Sequence, residues 1–293
     1  MITTAHPVLA VYPAAMQSLI QSRALMPQSG TRLAPSAGPA QDHAERNPLM
    51  RVAGGMAIIT ASGILTKAGY YDWWKEERVG GYRGMEKALD AAMSDDEIRN
   101  VVLLIDTPGG SVDGLSAMGR AIYDARDAKP IYAIIDGMCC SAGYYLASQC
   151  TRIIAPSDAI IGSIGTKIML YEYYEMFREA GIRAIPVDTG EHKSAGAMGT
   201  QITEAQQAEF QRLVDAFFAD FLAAVDRGRN VPELESLADG RVWVGSEALD
   251  LGLIDEVAPI RDAIRGISEE ADGNSSRRSA AYAAAQLRLA AVR

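Results

Sequence analysis

The hydrophobic pattern changes character twice along the chain. Up to residue 50 the apolar positions are scattered: Val8–Val11 is the longest run and stops at Tyr12-Pro13, Ala14–Leu25 is only weakly amphipathic, and Pro27–Pro48 is rich in Pro, Ser, Gly and Ala. Such a segment buries too little apolar surface to offset the entropy of ordering, which predicts a flexible arm and linker over residues 1–50. From 51 to 266 the pattern is periodic, and from 267 to 293 it turns polar and then Ala- and Arg-rich, as expected of a tail.

Within the periodic part, Met56–Thr60 reads as a short strand ending at Ser62-Gly63. Ile64–Gly81, with Tyr70, Tyr71, Trp73 and Trp74, has no period and reads as an aromatic-rich loop covering either a core edge or a peptide groove. A helix is predicted from Tyr82 to about Met93. The continuous apolar run Val101–Ile105 follows, the pattern of a parallel strand buried on both faces. Asp106-Thr-Pro-Gly-Gly-Ser111 ends that strand, and Val112, Leu115, Met118 or Gly119 and Ile122 mark one face of a helix closing near Ala128-Lys129-Pro130. A strand over Ile131–Ile135, a small-residue turn and a helix over Ala142–Ser148 complete a β-α-β-α succession. The fold class is therefore α/β, with stacked parallel β-α-β units, right-handed crossovers and flanking helices.

Further strands are expected at Arg152–Ala155, Ala159–Ile161 and Arg183–Val187, with a helix over Tyr171–Ala180 closed by Gly181. The longest helix is predicted from Thr203 to about Arg227, with the stripe Phe210, Leu213, Val214, Phe217, Phe221, Leu222 and Val225 facing a core or another subunit. Gly240–Gly245, a short helix over Ser246–Leu251, the segment Gly252–Val257 and a helix near Ile260–Arg265 close the domain.

Composition narrows the function. The 48% hydrophobic and 22% charged content is that of a soluble globular protein, and a formal net charge of −9 argues against nucleic acid as a partner. Three clustered cysteines, Cys139, Cys140 and Cys150, form neither a disulfide framework nor a zinc spacing, and only His6, His43 and His192 could assist. No metal or cofactor is expected. No run in the first fifty residues is long enough for a secretion signal or a membrane span, so no membrane partner and a cytoplasmic location are expected.

The chemistry centres on Ser141, where a strand hands over to a helix. A serine there is ordinarily an N-cap, but it is also a place for an acyl-transfer nucleophile. An oxyanion hole needs only backbone amides. Ala142 supplies one candidate, and Pro108-Gly109-Gly110, a turn after the neighbouring parallel strand at the same sheet edge, supplies another. Two bases compete, His192 for a Ser-His-Asp arrangement and Lys193 for a lysine whose amine is kept neutral by its surroundings.

Five ordered motifs, Asp106–Val112, Gly137–Ala147, Ile161–Gly165, Gly190–Gly196 and Arg241–Gly245, resemble the signal peptide peptidase A family of serine proteases across about residues 52–258. The resemblance implies a Clp protease/crotonase fold and a Ser/Lys dyad, with Ser141 as nucleophile, Lys193 as general base, Ser163 holding the lysine amine, and Gly110 and Ala142 as oxyanion donors. Gly109, Ile164 and Gly165 then flank a groove for a polypeptide bound in extended form by strand addition. Clp proteases carry a histidine about 25 residues after the serine, and Ile164–Lys167 has none. The chain is similar to half of the tandem-domain members, which implies a homo-oligomer. Without an anchor it is most similar to the phage capsid maturation branch, which implies capsid, portal or scaffold proteins, or the chain itself, as substrates in the host cytoplasm or procapsid. A general bacterial peptidase of the same family, a crotonase-like acyl-CoA enzyme and an inactive capsid structural protein are the alternatives.

Overall fold

A computed structural model describes residues 9–11, 48–72 and 77–271. Its strands are β1 (Leu9–Val11), β2 (Met50–Ala53), β3 (Met56–Leu65), β4 (Tyr70–Asp72), β5 (Glu77–Val79), β6 (Asn100–Ser111), β7 (Ile131–Cys140), β8 (Arg152–Ala155), β9 (Ile160–Gly162), β10 (Val242–Val244) and β11 (Glu256–Val257). The helices are α1 (Tyr82–Ser94), α2 (Leu115–Ala125), α3 (Ala142–Ala147), α4 (Tyr174–Glu179), α5 (Glu204–Gly228), α6 (Leu234–Leu237), α7 (Gly245–Asp250) and α8 over 260–271.

The chain is a mixed α/β fold built on parallel strands. Nine of the described strands form one sheet with the path β10-β9-β7-β6-β3-β2; β8 and β11 continue from the lower half of β7, and β1 joins β6. The β3–β6, β6–β7, β7–β8 and β7–β9 pairs are all parallel. The apolar run of β6 shows why this sheet forms where it does. Val101, Leu103 and Ile105 pack into the main core with α1, α2 and α3, whereas Val102 joins a second core with Tyr132, Ile154, Ala263 and Ile267 beneath α8. Side chains alternate along a strand, so a run with no polar position must be covered on both faces.

The helix carrying the site is short, and its surroundings hold it. Buried Gln149, just past α3, donates from Nε2 to the Ala224 carbonyl of α5 (2.7 Å) and accepts from Arg227 (2.7 Å). The Tyr144 hydroxyl donates to the Leu253 carbonyl (3.0 Å) and that of Tyr145 to Asp220 (3.0 Å). A six-residue helix has no stability of its own, and these bonds with the surrounding core fix its direction.

Several expectations are corrected. Residues 183–187 form no strand: no neighbouring strand offers them an edge, and Ile185 and Val187 are exposed. Part of the aromatic segment is a small antiparallel hairpin of β4 and β5; Trp73 and Trp74 lie outside the described residues. The predicted 171–180 helix shrinks to α4, still closed by Gly181 at φ 68. Helix α5 begins at a Thr203–Gln206 capping box, but only its C-terminal half is core: Phe221, Ala224 and Val225 are buried, while Phe210, Leu213, Val214 and Phe217 are half-buried. Helix α8 runs past the expected boundary at 266, because Ile267 belongs to the second core. Residues 9–11, in the segment expected to be a flexible arm, pair with β6.

Candidate active site

Ser141 precedes α3, as the sequence indicates, but it follows β7 directly, because the strand expected to end at Ile135 runs through the small residues to Cys140. Its backbone has φ 52 and ψ −116, and its side chain makes no capping hydrogen bond to α3. The N-cap explanation of this serine therefore fails. The side chain is 1% exposed, and among the described residues its Oγ has no hydrogen-bond partner. Left-handed backbone in a non-glycine residue costs about 1–3 kcal/mol, and an orphaned buried hydroxyl costs a similar amount. Two unfavourable features thus meet at one residue, with no side-chain contact among the described residues to offset them.

The strand expected to end at Ile105 continues as β6 to Ser111, so Gly109 and Gly110 reach the same place as paired strand rather than as a turn. Thr107, opposite Cys139 across the β6–β7 pair, donates its hydroxyl to the carbonyls of Gly63 and Gly109 and accepts from the Gly109 amide (3.0 Å). That fixes the backbone of this part of β6, with Gly109 at φ 124. A Cβ on Gly143 would lie 2.4 Å from Thr107 Cγ2, so the start of α3 presses against β6 here. Gly110 lies as close to β3: a Cβ there would fall 2.0 Å from the Leu65 carbonyl oxygen. Ala142, the first residue of α3, has no intrahelical acceptor for its N–H.

Ser163 occupies the matching position on the next strand. Cys140 is the register partner of Gly162, and the Ser141 amide donates to the Gly162 carbonyl (2.8 Å). Ser163 is buried at φ 50, its amide donating to Arg241 in the approach to β10 (2.7 Å). Ser141, Ser163 and Glu233 are the non-glycine residues with positive φ among those described, so two of the three meet here. Ile164 is buried with its carbonyl accepting from Gly240 (3.1 Å), and Gly165 passes close to the same glycine. Ile164 thus has its carbonyl already engaged, which narrows the edge available to a peptide.

The structure brings together Ser141, Ala142, Gly109, Gly110, Ser163, Ile164 and Gly165, but it does not bring the base to the serine. Lys193 and His192 are exposed on a turn where the Lys193 amide donates to Gly190 (3.1 Å), and neither bonds to Ser141 Oγ. Lys167, absent from the residues the sequence singles out, is a half-buried lysine two residues beyond Gly165, and burial makes its ammonium form less stable and lowers its pKa. A lysine following Ser163 so closely was the available signal.

The profile of peptidase family S49 matches residues 124–274, just over half of the chain. The chain belongs to peptidase family S49. The matched span of this S49 chain contains Ser141, Ser163, Lys167 and Lys193, while Gly109 and Gly110 precede it. Capsid assembly protease C of Escherichia phage lambda is 31% identical over 78% of this chain and 52% of its own length. The head-tail preconnector protein GP5 of Enterobacteria phage P21 is 30% identical over 76% and 45%. Protease 4 of Haemophilus influenzae is 29% identical over 71% of this chain and 34% of itself. The chain spans about half the length of the phage relatives it matches and a third of that bacterial one. Among solved structures, an enoyl-CoA hydratase/isomerase family protein from Silicibacter pomeroyi overlays 76% of this chain and 80% of its own at 14% identity, with a TM-score of 0.46. No helix among the described residues is long and apolar enough to cross a membrane.

Proposed function

We propose that this S49 chain is a serine endopeptidase working through a Ser/Lys dyad. In this reading Ser141 Oγ attacks the scissile carbonyl while Lys193 takes its proton, and the amides of Gly110 and Ala142 stabilise the oxyanion. Lys193 returns the proton to the leaving amine, and water then releases the acyl group from Ser141. Ser163 holds the lysine amine. The observation that carries the proposal is the Ser141 hydroxyl itself, buried, uncapped and unpaired at a left-handed strand-to-helix handover within the span that matches peptidase family S49.

The exposed position of Lys193 supports a site completed by a second copy of the chain. Around that turn Met169, Tyr171, Met176, Ile182, Ile185 and Val187 are exposed, a concentration of apolar surface that favours association. The phage relatives support capsid, portal or scaffold proteins, or the chain itself, as substrates in the host cytoplasm or procapsid. A second reading of the base rests on one observation: Lys167, two residues beyond Gly165 in the chain, is half-buried.

A fluorophosphonate incubated with the purified protein tests the proposal. Mass spectrometry should locate one adduct on the peptide bearing Ser141, and Ser141→Ala should carry none. An unlabelled Ser141 in a folded protein that also cleaves no peptide overturns it.

A further inference from the structure

A β-strand has two hydrogen-bonding edges, and the edges of β6 can be traced along its length. One edge serves β3 throughout, up to the pairs Ile64↔Gly109 and Leu65↔Gly110. The other serves β7 as far as Thr107↔Cys139. Strand β7 runs only one residue past that pair, to Cys140, with β9 on its far edge, and gives way to Ser141 and α3 while β6 continues to Ser111. The second edge of β6 is therefore free beyond Thr107, and β1 fills it: Leu9, Ala10 and Val11 run antiparallel to β6 opposite Ser111, Gly110 and Gly109.

We propose that residues 9–11 are a built-in occupant of the peptide-binding edge. They hold the place of an extended substrate strand next to Ser141 and restrict access to it. The proposal rests on the peptidase reading above and deepens it in two respects. It gives substrate polarity, an extended segment antiparallel to β6, and it gives substrate class, a short apolar stretch of the Leu-Ala-Val kind with its central residue opposite Gly110. Strand addition draws its affinity from main-chain hydrogen bonds, so the same edge cannot hold β1 and a substrate at once. Substrate must displace the chain's own segment, which acts as an intramolecular competitor.

The test compares the full chain with the full chain carrying Leu9→Pro and Ala10→Pro. In an antiparallel ladder alternate residues donate to the partner, so the two prolines remove at least one donor whichever residue is bonded. Backbone amide exchange over 109–112 is measured alongside the rate of fluorophosphonate labelling at Ser141. The double variant should lose protection over 109–112 and label several-fold faster. A synthetic peptide of residues 5–14, added to the variant, should restore protection and slow labelling; a merely misfolded variant would show neither recovery. Equal exchange and equal labelling in the two proteins overturn the proposal and leave the peptidase reading intact. A difference in exchange with no labelling of Ser141 in either protein overturns the peptidase reading and with it the blocking role.

Discussion

Ser141 and Ser163 leave adjacent parallel strands at the same level, each one residue beyond the register pair Cys140–Gly162 and each with a left-handed backbone, φ 52 and 50. The amide of the first is tied to the carbonyl that precedes the second. Parallel strands in register end together, so two strained hydroxyl residues reach one place at the C-terminal edge of the sheet, where open α/β folds put their sites.

Ser141→Ala should abolish peptide cleavage without loss of stability. An unpaired buried hydroxyl costs about 1–3 kcal/mol, so its removal leaves the melting temperature unchanged or raises it. Thermal unfolding and peptide hydrolysis of the same preparations give both halves. A drop in stability above about 1 kcal/mol would mean that the hydroxyl has a structural partner.

Gly110→Ala should damage fold and activity together. The added methyl would lie 2.0 Å from the Leu65 carbonyl oxygen, which belongs to the paired backbone of β3 and cannot swing aside. A cost of about 1–3 kcal/mol or more is expected from overpacking, and the displaced strand should lower kcat as well. Gly240→Ala, at a loop position with φ 87 and no heavy atom within 4 Å of its Cβ, should cost about 1 kcal/mol from backbone strain alone and serves as the contrast.

The three cysteines should be chemically silent. Cys139, Cys140 and Cys150 are buried; burial pushes the thiol of Cys140 up to about 12, and that of Cys150 likewise to about 12 against the opposing pull of Arg126 and Arg229. Alkylation follows thiolate content, so iodoacetamide at pH 8 should leave the native protein unmodified and label all three after denaturation. Rapid native labelling would show that the sheet edge opens.

Much of the fold was legible because β6, β7 and the helices between them obey simple periods. Val101–Ile105 reads as a strand covered on both faces, and the small residues expected to be turns after it and after Ile135 instead carry β6 and β7 on to Ser111 and Cys140. What the sequence concealed depends on partners. Arg183–Val187 has strand composition but no edge to pair with, whereas Leu9–Val11, inside a segment that composition makes a linker, pairs because β7 leaves β6 unpaired beyond Thr107. The orphan state of Ser141 Oγ was equally hidden, since the N-cap and nucleophile readings of a serine before a helix differ only in where the hydroxyl points.

Acid should unfold the protein through Asp255. Burial pushes this carboxyl up, but two bonds from the Arg229 guanidinium (2.8 and 2.9 Å), the Ile153 amide (2.6 Å) and the charge of Arg152 outweigh it, leaving a pKa below the usual value. A carboxylate depressed on folding stabilises fully above its unfolded pKa of about 4, and the contribution fades as pH falls from there through the folded value. Asp255→Asn should therefore cost about 2–4 kcal/mol at pH 7, because the buried Arg229 keeps its bond to the Gly252 carbonyl but loses its carboxylate, and the gap to wild type should narrow below about pH 4. Denaturant melts at pH 7 and pH 3 measure it. A gap independent of pH would assign the loss to packing.

The base is decided by three substitutions read together. Lys193→Ala should lower kcat by on the order of 10²- to 10⁴-fold, the usual worth of general-base catalysis, with His192→Ala near wild type. The two residues share one exposed turn, so any loss from disturbing that turn would appear in both variants and cancel in the comparison. Lys167→Ala supplies the third arm, because Lys167 already has the partial burial a neutral amine needs and Lys193 must gain it from a neighbouring copy. A base brought in by association predicts specific activity that rises with protein concentration and collapses in Lys193→Ala. A base already in place predicts concentration-independent activity lost in Lys167→Ala. Collapse in His192→Ala alone would remove the lysine dyad altogether and return the site to a histidine mechanism.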